Sequence, residues 1–90
     1  MARIRSIHPG LRTDENFMVL SFAARDLLIS LWMEADDHGL FPWKPVTLKA
    51  RIFPADSLNI DSLLEELANK NWIRPYLVDG VRYGACRNFL

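Results

Sequence analysis

The apolar residues between positions 60 and 70 repeat at the spacing of one helix face. They follow an i, i+3, i+4, i+7, i+8 pattern without interruption, at Ile60, Leu63, Leu64, Leu67 and Ala68. This period is typical of an amphipathic helix that buries one side. Asn59 is a suitable N-cap and Asp61 lies in the first turn, where the helix dipole favours an acid. The pattern therefore predicts a helix over residues 60–70.

An earlier stretch has the same period. Ser21 is a suitable N-cap, and the apolar positions that follow it are Ala24, Leu27, Leu28, Leu31, Trp32 and Ala35. Gly39 can take the left-handed conformation that stops this helix after residues 36–38.

A short helical turn is predicted around residues 14–19. Pro45 is placed to open a second main helix, which runs to Phe53 and is closed by Pro54.

The last third of the chain has the composition of a β-hairpin. Residues 72–78 and 81–86 are rich in β-branched and aromatic side chains, and Asp79-Gly80 between them favours a two-residue turn with positive φ. This register would pair Val78 with Val81 and Tyr76 with Tyr83, and would put Arg74 and Ala85 on the same face. A further short strand is predicted at residues 40–41, before Pro42 breaks it.

Together these elements predict a small α+β winged helix-turn-helix with three main helices and a C-terminal β-hairpin wing. The 90 residues fit a single domain, 1–90, in which residues 1–13 form a basic extended arm. Leu31, Trp32, Leu64 and Leu67 are expected to share one core.

Composition is that of an ordinary globular domain. Half of the residues are hydrophobic, and 11 Lys and Arg balance 11 Asp and Glu, which argues against disorder. The single Cys86 is interpreted as a small buried thiol, and a reducing compartment follows from it. The sequence shows neither a signal peptide nor a membrane span, so we expect a cytoplasmic protein.

Segments throughout the chain resemble the N-terminal winged-helix domains of phage and prophage replication proteins, of the DnaD-like replisome organiser type. The matching residues are 1–9 (MARIRSIHP), 20–21, 23–25, 28, 31–32, 35–37, 39, 52–54, 63–67, 73–76, 78–80, 82–83 and 88–89. The resemblance implies a module that binds origin DNA, self-associates or contacts replisome partners. Helicase recruitment is not carried over, because it belongs to a region of the family that does not follow within these 90 residues.

No catalytic constellation is visible. Asp36, Asp37 and His38 adjoin at a predicted helix end, where a structural turn is the better interpretation than a metal site. His8 lies in the arm, where a solvated or edge-packing role is the better interpretation, and the glycines are too dispersed for a phosphate-binding loop. We therefore expect no enzyme activity, no cofactor, no metal and no small-molecule substrate.

The predicted third main helix is a poor reader of the DNA major groove. Its outward positions carry Asp61, Glu65 and Glu66 against Lys70 alone, and acids repel phosphates. The cations lie elsewhere, so double-stranded DNA, if bound, is expected on the arm, the second main helix and the wing. The candidate DNA-binding residues are Arg3, Arg5, Lys44, Lys49, Arg51, Arg74 and Arg82. The alternative is that these are scattered, solvated charges.

A rival hypothesis makes the chain a protein-interaction or self-association module of the replisome, with Glu65 and Glu66 facing a partner. Trp43 lies between Pro42 and Lys44 in a predicted loop, where it could anchor a partner, stack on a base or cover the edge of the core. A phage transcriptional regulator is a further alternative, because one fold hosts many functions.

Overall fold

The computed structural model describes residues 6–87 as a small α+β domain. A 3-10 helix at Pro9–Thr13 is followed by the helices α1 (Glu15–Met18), α2 (Phe22–Glu34), α3 (Pro45–Ile52) and α4 (Ile60–Asn69), and by the strands β1 (Leu40–Pro42), β2 (Ile73–Val78) and β3 (Val81–Cys86). The strands form an antiparallel sheet in the order β1-β3-β2. Within the described residues, no helix is both long enough and apolar enough to cross a membrane.

The N-terminal arm is not extended along its whole length, contrary to the sequence-based prediction. Residues 9–13 form a 3-10 helix because Pro9 presets its first turn and the Nδ1 atom of His8 accepts a hydrogen bond from the Gly10 amide at 2.9 Å. His8 is thus a local cap. Arg3 and Arg5 lie outside the described residues.

The predicted helix ends are confirmed by their hydrogen bonds. The Ser21 hydroxyl caps α2 by accepting from the Ala24 amide, and the Asn59 side chain caps α4 by accepting from the Ser62 amide. After α2, the Asp36 carboxylate accepts from the amides of His38 and Leu40, at 2.8 and 3.0 Å. Asp36, Asp37 and His38 therefore belong to a hydrogen-bonded turn, which leads into β1.

The hairpin has the predicted register. Val78 pairs with Val81 and Tyr76 with Tyr83, and Asp79 and Gly80 have φ values of 51° and 78°. Both central residues have positive φ, as a type I′ turn requires. The sequence did not indicate the partner of β1, which adds to the sheet beside β3.

The core lies between the helices and one face of the sheet. Leu31, Leu64 and Leu67 are fully buried in it, as predicted, whereas Trp32 is only partly buried and packs against its boundary. Phe41 from β1 is also buried, directly over Gly84 of β3. A Cβ atom on Gly84 would lie 2.2 Å from Cζ of the Phe41 ring, so only glycine allows this ring to cross the strand.

Candidate nucleic-acid interface

The two arginines predicted to contact DNA from the wing lie on opposite faces of the sheet. Arg82 of β3 pairs with Leu77 of β2. Arg74, three positions before Leu77 on β2, pairs with Ala85 of β3. Since successive side chains in a strand point to opposite faces, Arg82 shares the core-side face with Gly84, while Arg74 shares the outer face with Tyr76. Both arginines are exposed, but a single flat surface cannot contact both.

Arg82 lies over an aromatic platform. Its guanidinium carbon is 4.6 Å from the centre of the Trp43 ring, and Trp43 in turn stacks on Phe41 at 6.0 Å with 20° between the rings. Such a cation–π contact contributes about 0.5–1 kcal/mol at an exposed site, and it restrains the guanidinium. The donors of Arg82 are therefore held at the surface.

Trp43 belongs to the core edge. Only 9% of its surface is exposed, so the structure does not support its predicted role as a partner anchor. Its amide donates to the Arg82 carbonyl at 3.0 Å, which extends the β1–β3 pairing by one residue. Of the interpretations that the sequence left open, core packing is the one that matches its burial.

Lys44 adjoins this platform. It follows Trp43 in the chain, occupies the N-cap position of α3, and is exposed. The Trp43 amide donates to the Arg82 carbonyl, so the backbones of Lys44 and Arg82 come close to each other where the start of α3 joins β3. We call this pair the basic junction. It combines two exposed cations of the predicted DNA-binding set from different elements.

The two cations of α3 itself make contacts within the fold. The Nζ atom of Lys49 donates to the Phe53 carbonyl at 3.3 Å and so caps the helix end. Arg51 forms an ion pair with Glu34, with Nε–Oε1 at 2.5 Å and Nη2–Oε2 at 3.3 Å. The hydrogen bond and then the charge of Glu34 raise the pKa of Arg51 above its usual value. Both residues thus have structural partners, which the sequence-based assignment to DNA did not anticipate.

The adjacent acids of α4 have different environments. Glu65 is exposed on the outer face, as predicted. Glu66 instead turns toward the start of α2, where its two carboxylate oxygens accept from the amide and hydroxyl of Ser21 at 2.7 and 2.9 Å. The prediction that Glu66 faces a partner is not supported, because its carboxylate already has intramolecular donors.

Sequence reasoning missed an open groove on the outer face of the sheet, with a volume of about 780 Å³. We call it the wing groove; it lies between the end of α2 and the β2–β3 hairpin, which is the predicted wing. Its lining includes Met33, Asp37, Pro42, Tyr76, Val78 and Tyr83. The two tyrosine rings stack at 6.1 Å with 27° between their planes. The cross-strand pairing of Tyr76 with Tyr83 was a usable signal, but the α2 side of the groove was not visible in the sequence.

Among residues 6–87, no three His, Cys, Asp or Glu side chains are grouped so that they could hold a metal ion. Cys86 is a buried thiol in β3, as its sequence context suggested. Comparison with known proteins adds no assignment: no family model, curated protein or solved structure matches this chain.

Proposed function

We propose that this chain is a non-catalytic winged-helix module that binds double-stranded DNA through its phosphates, with the basic junction as the main contact. The observation that carries the proposal is the placement of the Arg82 guanidinium on Trp43, next to Lys44. Two exposed cations at one junction suit a phosphate backbone, since phosphate contacts supply most of the sequence-independent affinity for DNA.

The order of elements is consistent with a winged helix. Helix, strand, helix, helix and hairpin follow one another from α2 to β3, with β3 between β1 and β2. In that fold the third main helix commonly enters the major groove, and α4 occupies this place after α2 and α3. Asp61 and Glu65 are exposed on α4 and would repel phosphates, so the proposal assigns little base readout to this helix.

The proposal keeps the biological setting that the resemblance implied: a cytoplasmic phage or prophage replication initiation or replisome-organiser protein. Arg3 and Arg5 stay predicted contacts of the arm. A double Arg3→Ala and Arg5→Ala variant would measure their contribution in the same assay.

The test is fluorescence anisotropy with a labelled duplex, from about 50 to about 200 mM salt. Replacing Lys44 and Arg82 together by Gln should weaken binding and flatten the salt dependence by about two units of slope, because each phosphate contact accounts for about one. The matched control replaces Lys70 and Arg87 by Gln, which removes the same charge at exposed positions outside the candidate DNA-binding set. It should change the slope by less than about one unit.

Two results would contradict the proposal. Equal effects of the two double variants would mean that net charge, not the junction, controls binding. An unmodified chain that fails to bind duplex at low salt would leave the rival hypothesis, a protein-interaction module, which the wing groove favours.

A further inference from the structure

An exposed leucine lies next to the basic junction on the β2–β3 hairpin. Leu77 pairs with Arg82 in the register of these strands, and paired residues on antiparallel strands point to the same face. The Leu77 side chain therefore shares the core-side face with the Arg82 guanidinium and with the Trp43 ring under that guanidinium. Ile73 is buried on this face of β2, but Leu77, which is closer to the turn, is 69% exposed. The junction thus combines two cations with a large apolar side chain.

The backbone that carries Leu77 is restrained by its neighbours. Asp79 and Gly80 form the primed turn that follows it, with φ values of 51° and 78°. Opposite Leu77, the Arg82 carbonyl accepts a hydrogen bond from the Trp43 amide at 3.0 Å, which holds β3 against the chain that follows β1. A side chain on such a support loses little backbone entropy when another molecule takes it up, so its insertion costs less than that of a side chain on a loose loop.

Charge decides which class of molecule receives Leu77. Lys44 and Arg82 are exposed and suit phosphates, which both duplex DNA and an anionic lipid surface present. Insertion of the hairpin tip into a bilayer would take the exposed Asp79 carboxylate out of water, which is costly. A minor groove takes up an apolar side chain such as leucine from the face of the hairpin, and the cations then lie beside the phosphates. The observations therefore favour the duplex.

Phosphate contacts alone do not distinguish one DNA sequence from another, and α4 presents Asp61 and Glu65 to the solvent, which suits it poorly to base edges. We propose that Leu77 is a wedge that enters the minor groove and partly unstacks one base step, while Lys44 and Arg82 contact the flanking phosphates. The duplex bends at this step. Since pyrimidine–purine steps unstack easily, the module selects DNA by its flexibility. This inference rests on the proposed function and extends it to sequence preference.

The test uses the full chain and two labelled duplexes of about 20 base pairs with equal base composition. One duplex has a central TA step, in which 2-aminopurine replaces the adenine, and the other has a central A-tract. The unmodified chain should raise the 2-aminopurine fluorescence by unstacking the step, and should bring the duplex ends closer in an energy-transfer measurement. It should also bind the TA duplex more tightly than the A-tract duplex, by at least about threefold, because the A-tract is stiffer.

Two neighbouring substitutions on β2 supply a matched pair. Leu77→Ala should abolish the fluorescence rise, the bend and the preference for the TA duplex, but it should leave the salt dependence unchanged because no charge is lost. Val78 is 47% exposed and points to the opposite face, so Val78→Ala should preserve all three effects. Leu77→Met keeps a side chain that can act as a wedge and should also preserve them. The methionine variant thus separates loss of the wedge from disturbance of the hairpin.

Asp79→Asn measures whether the hairpin comes close to the phosphates at all. This substitution keeps the primed turn, which Asn-Gly favours as much as Asp-Gly does, and removes an exposed acid near Leu77. It should strengthen binding of both duplexes by at least about twofold, since it removes a repulsion from phosphate. An unchanged affinity would mean that the hairpin stays clear of the duplex, and would overturn the wedge.

The remaining outcomes separate the two proposals. An unmodified chain that does not bind duplex at low salt would overturn both. Binding that depends on Lys44 and Arg82, but shows no preference for the TA duplex and no effect of Leu77→Ala, would overturn the wedge alone. Binding to anionic vesicles that requires Leu77 would identify a lipid surface instead, and a dimer in sedimentation that Leu77→Ala dissociates would identify a second copy of the chain.

Discussion

The contact between Glu66 and Ser21 links the middle of α4 to the beginning of α2. Ser21 caps α2 through its hydroxyl, and Glu66 holds that hydroxyl and the adjacent amide with both carboxylate oxygens. The carboxylate also lies near the positive end of the α2 dipole, which favours a negative charge there. We therefore predict that Glu66→Gln destabilises the fold.

The size of the effect follows from the cap and the charged hydrogen bonds that the substitution weakens. An N-cap residue contributes about 0.5–2 kcal/mol, and a hydrogen bond to a charged group about 1.5–3 kcal/mol. Glu66 is only half-buried and glutamine keeps one acceptor, so the lower part of these ranges applies. We expect a decrease of about 1–2 kcal/mol in unfolding free energy, and each kcal/mol lowers the Tm of a domain of this size by about 4–8 °C.

Denaturant unfolding followed by tryptophan fluorescence would measure the change. Glu65→Gln is the matched control, since it removes the same charge from the exposed neighbour on the same helix, and it should alter stability by less than about 0.5 kcal/mol. A cycle with Ser21→Ala should give a coupling energy of at least about 0.5 kcal/mol. Equal stabilities of the Glu65 and Glu66 variants, or a coupling near zero, would refute the assigned cap.

Three further substitutions test the packing and the turn. Gly84→Ala would place its Cβ against the Phe41 ring and should lower the free energy of unfolding, measured with denaturant, by about 1–3 kcal/mol. Adding Phe41→Leu to this variant should restore part of the lost stability. If it restores none, the steric clash is not the cause. Leu67→Ala removes a fully buried side chain and should cost about 2–5 kcal/mol in the same assay, whereas a change below about 1 kcal/mol would contradict its core position. Gly80→Val puts a β-branched residue at a φ of 78° and should lower the Tm; an unchanged Tm would count against the primed turn.

Local signals were sufficient for most of the secondary structure. The apolar period of α4, the caps Ser21 and Asn59, and the Asp79-Gly80 turn each act within a few residues, so their physics can be read from neighbouring positions. Residues 9–13 were wrongly predicted to be extended, although the signal for their 3-10 helix was also local. It is the cap that the His8 ring forms in front of Pro9.

The roles of the charged residues depended on contacts between distant segments. Glu65 and Glu66 are indistinguishable in the sequence, yet Glu66 meets Ser21 from 45 positions away. Arg51 similarly finds Glu34 across 17 positions. A long charged side chain pairs with whatever the fold brings near it, and periodicity does not encode that neighbour.

By itself, the sequence determined which residues form helices, where the hairpin turns and which leucines are buried, because these follow from backbone preferences and from the removal of apolar surface from water. Only the tertiary structure decided that Arg82 rests on Trp43 and that the end of α2 joins the β2–β3 hairpin in lining a groove. The physical reason is the reach of each effect. Local propensities act over one or two turns of chain, whereas a binding surface is made of side chains that come together only after the elements have packed.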